Sequence, residues 1–378
     1  MDPIKQLAEL VSINSVFPNE KKKAEYLEKK LQELGFGTKR IPVAKGRFNV
    51  VGERGCEGKP ILFYAHIDTV PAYGEWKSDP WKLREEGDML YSLGAYDMQA
   101  GIAAILSVCK ENTGRRIKIA FGVDEENNSD GAWAIAKDGF FDDAEIAIVP
   151  EINDSELQMR RADWIMLGKR GRAEYDIDVP GQTGHAARVK DGVSAIDEAA
   201  KLTIEFGKMN SKFKGKGLFP PPSQFIRKIE GKATSLSLPE NASIVLDRHM
   251  VPPENAEIVL GKIRKEIREM YRKGVFKCKG RKIEVRIKPR ASPYLEPYYT
   301  PKENRHVQLL QNIVGKEVGK PVLVYGMSTA DECVIASRGV PVITYGACGG
   351  NAHKADEWVS RKSLLDVVKV LGRFIESA

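Results

Sequence analysis

The stretch ILFYAHIDTVP, residues 61–71, passes from an apolar tract straight into His66, Asp68 and Thr69 and closes on a proline. A short apolar run bounded by turn signals predicts a buried strand over 61–64, of the kind found in the core of a parallel sheet. The polar side chains then fall at its C-terminal end, where open α/β sheets bind ligands. An imidazole with a carboxylate two residues on offers a metal ligand and a group to orient it. By itself a His-x-Asp pair is more often a surface turn, so its weight depends on the rest of the chain.

With 378 residues the chain exceeds the size at which one hydrophobic core keeps growing, and two domains are expected. Hydrophobic residues at 42% and charged residues at 29% describe an ordinary globular protein rather than a disordered one. Lys and Arg exceed Asp and Glu by 59 to 52, a formal charge of +7. The excess is spread along the chain in short runs such as 21–23, which read as solvated surface. No aromatic-interleaved basic stripe appears, so no nucleic-acid partner is expected. The five cysteines, Cys56, Cys109, Cys278, Cys333 and Cys348, contain no C-x-x-C pair, which argues against a disulfide framework or a thiolate zinc site. The opening MDPIKQLAEL lacks a basic region followed by an apolar core, and no apolar run has the roughly eighteen residues a membrane span needs. A cytosolic protein with no membrane partner is expected.

Asp2 and Pro3 ahead of Ile4, Leu7, Leu10 and Val11 predict a capped amphipathic helix. A second helix is predicted over 20–34, with Gly35 as its stop. Strands at 48–51, 61–64, 117–123 and 145–149 alternate with helices over 98–110 and around Trp133, the pattern of βαβ units and a largely parallel sheet. Near residue 165 the character changes. GRAEYDIDV, residues 171–179, alternates polar with apolar, as a strand with one wet face does. Helix 193–206, strand 243–250, helix 253–272 and strand 282–288 follow, around a Pro/Lys-rich loop, and suit a small inserted α+β sandwich. Residues 293–301 read as the return linker, after which helix 303–318, strand 341–345 and helix 360–375 resume the first pattern. The expected fold is therefore α/β, a mainly parallel-sheet domain of residues 1–165 and 293–378 interrupted by a smaller α+β domain of residues 166–292.

Four further acidic or histidine sites stand where strands should end: Asp97 just before a buried helix, the doublet Glu125 and Glu126, Glu151, and His353 beyond a Gly-rich loop. Taken singly, an Asp before a helix is usually an N-cap and adjacent glutamates are usually solvated. Five such sites after core strands point elsewhere. Two histidines and three carboxylates are the ligand set for a pair of zinc-like ions, about 3.5–4 Å apart, that polarise a carbonyl and lower the pKa of a water. The doublet leaves one carboxylate to take a proton.

In this order the motifs resemble the metallopeptidase family that includes aminoacylase, acetylornithine deacetylase, succinyl-diaminopimelate desuccinylase and glutamate carboxypeptidase. YAHIDTVP resembles its first metal motif, with His66 as ligand and Asp68 as its orienting partner. YSLGAYDMQAG resembles the segment of the bridging aspartate, here Asp97, although Gln99 and Ala100 stand where Lys-Gly is usual. DEEN implies Glu125 as general base and Glu126 as ligand, PEIND implies Glu151 as the third carboxylate with Asp154 as the alternative, and NAHKADE implies His353. GQTGHAARV resembles the lid motif, whose histidine, here His185, stabilises an oxyanion in the partner subunit of a dimer. GMSTADE and GVPVITYG are similar to the family's C-terminal half.

The resemblance implies a catalytic domain with an inserted lid and dimerisation domain, two divalent ions (zinc ahead of cobalt or manganese), and a homodimer. It also implies hydrolysis of an amide bond in a small N-acyl amino acid or short peptide. A deacetylase or desuccinylase is favoured over a dipeptidase or carboxypeptidase. In the family an Asp-x-Arg arginine on the lid holds a substrate carboxylate; in SIVLDRHM that place falls on His249, with Arg248 one residue off and facing the opposite side of the strand.

Overall fold

The computed structural model describes residues 2–110, 114–151, 161–215, 217, 219–278 and 280–378. They divide into two compact units, Met1–Lys169 with Tyr299–Ala378, and Arg170–Tyr298.

The first unit is built on an eight-stranded sheet. Its order is Gly37–Ala44, Arg47–Arg54, Arg115–Gly122, Glu57–His66, Ile146–Val149, Val342–Thr344, Trp164–Met166 and Val322–Val324. The four central strands, from Arg115–Gly122 to Val342–Thr344, run parallel, while three pairings nearer the edges are antiparallel. The parallel centre follows from residues buried on both faces. Ile61, Leu62, Phe63 and Ala65 are sealed off, as are Ile119, Ala120 and Phe121, and Ile146, Ala147, Ile148 and Val149. Such near-continuous apolar runs are what a sheet covered on both sides requires. A close approach in this core is at Gly122, paired with His66 across the sheet. A Cβ there would lie 2.1 Å from the Tyr64 hydroxyl, so glycine makes room for that ring.

Helix ends match local chemistry. Asp2 caps helix Pro3–Val11 by accepting the Ile4 N–H at 2.9 Å, with Pro3 at the first position. Gly35, at φ +79°, follows helix Lys21–Glu33. One expectation fails on this helix. Of the basic run at its start, Lys23 is buried, because helical spacing turns it inward beside Ala24 and Leu27. Its ammonium donates to the Leu10 carbonyl and to Gln99 Oε1. A small antiparallel sheet, Gly349–Gly350, Trp358–Ser360, Met89–Tyr91 and Arg84–Glu86, ties the loop around His353 to the segment before Asp97.

The second unit is a four-stranded antiparallel sheet ordered Ser223–Gly231, Asn241–Met250, Gly171–Pro180 and Glu284–Ile287. Helices Ala195–Asn210 and Ala256–Arg272 supply Leu202, Phe206, Ile263 and Ile267 to one core with Ala173, Tyr175, Ile177 and Val179. The intervening Arg172 and Glu174 carry the polar face. Strand Ser223–Gly231, absent from the sequence reading, forms one edge of this sheet. Among the described residues, no helix is long and apolar enough to cross a membrane.

Candidate active site

Four adjacent parallel strands deliver their C-terminal ends to one place. His66 ends Glu57–His66, Glu125 and Glu126 follow Arg115–Gly122, Glu151 follows Ile146–Val149, and His353 lies on the loop beyond Val342–Thr344. Asp97 arrives from the irregular turn Ala95–Gln99, at φ −112° and ψ 92°, before helix Ala100–Val108 begins. It is therefore not an N-cap of that helix.

Asp97 sits between the two histidines. Its Oδ1 is 3.0 Å from His66 Nε2 and its Oδ2 is 3.2 Å from His353 Nε2. Glu151 Oε2 lies 3.5 Å from His66 Nε2, and Glu126 Oε1 lies 3.1 Å from His353 Nε2. Two matching half-sites result, each with one imidazole, one carboxylate of its own and one oxygen of the shared Asp97. One ligand atom each from His66, Asp97 and Glu126 lies within 4.8 Å of the others. Asp154 lies outside the described residues.

The hydrogen-bond roles test whether cations suit this cluster. His66 Nδ1 is 3.1 Å from the Asp68 carbonyl oxygen, so a neutral ring donating there would present its Nε2 lone pair to carboxylates. Acceptors would then face acceptors in a buried place unless a proton or a divalent cation stood between them. Protonation behaviour agrees. Asp97 and Glu126 raise the His353 pKa to about 11. Burial opposes charge on His66, but Glu151, Asp68 and Asp97 raise its pKa well above the ordinary value. Burial and then the Asp97 charge push Glu151 up to about 7, and burial raises Glu125 well above the usual carboxylate range. In Asp97 burial works the same way, but the two histidines outweigh it and hold its pKa low. The cluster is short of positive charge.

Asp68 does more than orient His66. Its carboxylate accepts the backbone N–H groups of Glu125 at 3.3 Å and Glu126 at 3.1 Å, fixing the doublet beside the strand end. Asp124, at φ +74°, anchors the same loop through Arg47 at 3.1 Å and the Asp130 N–H at 3.2 Å. Behind it, Tyr64 donates to Asp331, a carboxyl that burial pushes up to about 7. Glu357 accepts three backbone N–H groups of the Asp97 turn, and burial followed by the Asp97 charge raises it to about 8. Tyr64, Asp331 and Glu357 were not singled out from sequence, although each lies inside a quoted motif. A polar residue in a motif carries no local sign that it will be buried.

The remaining candidates belong to the second unit. His185 is exposed, its Nδ1 accepting the Ala187 N–H at 3.1 Å. Arg248 and His249 take opposite faces of strand Asn241–Met250. Arg248 is buried, paired with Glu254 at 2.8 Å and stacked 4.2 Å from the Phe213 ring centre. His249 is half-buried, opposite Arg172 in the sheet and 3.7 Å from Asp247.

Residues 62–377 match the model of peptidase family M20/M25/M40. Succinyl-diaminopimelate desuccinylase of Anaplasma marginale is 24% identical over 99% of this chain and 96% of that relative. Among solved structures, aminopeptidase PepT from Bacillus cereus superposes with a TM-score of 0.79 at 19% identity, covering 99% of this chain and 97% of that one. A dinuclear metal-binding peptidase of the M20 family from Bacillus subtilis gives 0.72 at 14%, covering 99% and 96%. With this fold, these strand-end side chains and a match over most of its length, the chain belongs to peptidase family M20/M25/M40 and is a metal-dependent hydrolase of amide bonds.

Proposed function

We propose that the protein is a two-metal amidohydrolase acting on small N-acyl amino acids, in the manner of a deacetylase or desuccinylase. The observation that carries this reading is Asp97, whose two oxygens each address a different histidine. His66, Asp97 and Glu151 would hold one divalent ion, and His353, Asp97 and Glu126 the other. When bound, such ions, zinc ahead of cobalt or manganese, polarise the substrate carbonyl and acidify water.

The chain's own residues supply the proton traffic. Glu125, fixed through its backbone by Asp68, takes a proton from the attacking water and returns it to the amine nitrogen as the carbon–nitrogen bond breaks. His185 donates to the oxyanion from the partner subunit of a homodimer. Its exposure supports that role, as does the position of strand Ser223–Gly231 at the edge of its sheet among the described residues. A substrate carboxylate would be met by His249 rather than by Arg248, which Glu254 already engages. Similarity in sequence to a desuccinylase supports the acyl substrate over a dipeptide.

A screen of N-acetyl and N-succinyl amino acids beside dipeptides decides the substrate class. Turnover of an N-acyl amino acid is expected to vanish on chelation and return with zinc, cobalt or manganese. Cleavage of dipeptides alone would replace the deacylase reading by a dipeptidase. Full activity in metal-free protein would remove the mechanism.

A further inference from the structure

Glu357 stands four residues beyond His353, and its side chain is 1% exposed. Its Oε2 accepts the Gly94 N–H at 2.8 Å, and its Oε1 accepts those of Tyr96 and Asp97, both at 2.9 Å. Its own carbonyl takes the Ser92 N–H at 3.1 Å. The Asp97 turn is not regular helix, and Glu357 gives its buried N–H groups an acceptor outside the turn. The His353 loop is demanding too: Asn351, His353 and Asp356, none of them glycine, have φ values of +59°, +63° and +54°. Backbone of this kind persists only where its surroundings over-determine it. Asn351 ties the loop internally by donating to the carbonyls of Ala355 and Asp356 at 3.4 and 3.1 Å. Beside the small sheet that joins the two segments, Glu357 ties the loop to the Asp97 turn through its side chain.

We propose that Glu357 is a positioning residue that holds Asp97 and His353 in register, so that the half-site of His353, Asp97 and Glu126 depends on it more than the half-site of His66, Asp97 and Glu151. The asymmetry follows from how the side chains are mounted. Both His353 and Asp97 stand on segments that Glu357 joins, whereas His66 and Glu151 are carried by ends of the central sheet. The inference rests on the two-metal reading above.

Glu357→Gln keeps the shape but turns an amide N–H₂ toward a backbone N–H, since two oxygens now serve three donors and one of them is lost. Cobalt(II) titration of metal-free protein, read by its visible absorption and by equilibrium dialysis, tests the idea without reference to activity. Wild type should take two ions per chain. Glu357→Gln should bind one with unchanged affinity and the other about 10- to 100-fold more weakly, as loss of outer-shell support does. Glu357→Asp, which keeps the charge and shortens the reach, should fall between and serves if the glutamine variant does not fold. Glu198→Gln removes another buried carboxylate that accepts backbone N–H groups, those of Lys277 and Cys278 in the second unit, and should leave both affinities alone. Equal binding of two ions by wild type and Glu357→Gln, or equal weakening of both, would overturn this inference alone. A wild type that binds no metal would overturn the two-metal reading and this inference with it.

Discussion

Glu125 and Glu126 are neighbours with different surroundings. The Glu126 carboxylate lies 3.1 Å from His353 Nε2, whereas among the described residues no side chain donates a hydrogen bond to Glu125. Glu125→Gln should therefore lower turnover by about a hundredfold or more while metal content stays near wild type. Glu126→Gln should weaken metal binding, because an amide is a poorer ligand. Metal analysis beside single-substrate kinetics separates the two, and the opposite pattern would exchange the roles. A stability prediction attaches to Gly122. Gly122→Ala places a Cβ 2.1 Å from the Tyr64 hydroxyl and should cost about 1–3 kcal/mol in denaturant unfolding. Adding Tyr64→Phe should recover part of it. The strand-end positions of His66, Glu125, Glu126, Glu151 and His353 were legible because each interrupts or follows an apolar run, where position along the strand predicts position in the fold. Glu357 and Asp331 were not, since a buried and an exposed acid look alike in sequence. Only the fold decides which backbone N–H groups they face.

Elements with a clean period were readable and those without were not. Residues 171–179 alternate, and strand Gly171–Pro180 follows; SQFIRKIEG does not, because strand Ser223–Gly231 carries an irregularity between Ile226 and Lys228 that shifts its faces. That strand exposes Phe225 and Ile229. If it is the dimer edge, Ile229→Lys should convert dimer to monomer in sedimentation velocity, with the far-UV spectrum unchanged. Helix Lys21–Glu33 carries a pH effect. Burial lowers the Lys23 pKa from 10.5 to about 7. Below pH 7 the ammonium is charged in both folded and unfolded chains, and its burial cost is borne in full. Between pH 7 and 10.5 the unfolded chain holds a proton that the folded one has shed, so stability rises with pH, by at most about 1.4 kcal/mol per unit. Unfolding of Lys23→Met measured beside wild type should show that slope only in wild type.

At the scale of the molecule, the α/β architecture was legible from the succession of apolar runs, while the two outermost strands of the large sheet were not. Gly37–Ala44 is mostly exposed, and Val322–Val324 is short, so neither leaves an apolar signature. The whole assembly also bears on His185. Mixing a His185→Ala chain with a Glu125→Ala chain should restore activity if the histidine acts across subunits, because one site of the heterodimer then holds both groups. A dead mixture with exchanging subunits would place His185 in its own chain's chemistry or outside it.

The order in which the ligand candidates occur along the chain also has a consequence in time. His66, Asp97, Glu126 and Glu151 leave the ribosome first, and His353 follows only after residues 152–352 have been made. Strand Val342–Thr344, which pairs with both Ile146–Val149 and Trp164–Met166, is nearly as late. At about 5–20 residues per second, the interval from the first histidine to the last is on the order of ten seconds to a minute. During that interval the nascent sheet lacks a central strand, and its acidic pocket lacks one of two imidazoles. In the two-metal reading, uptake of both ions would follow synthesis of His353, so a fully loaded site would mark a chain translated past that residue.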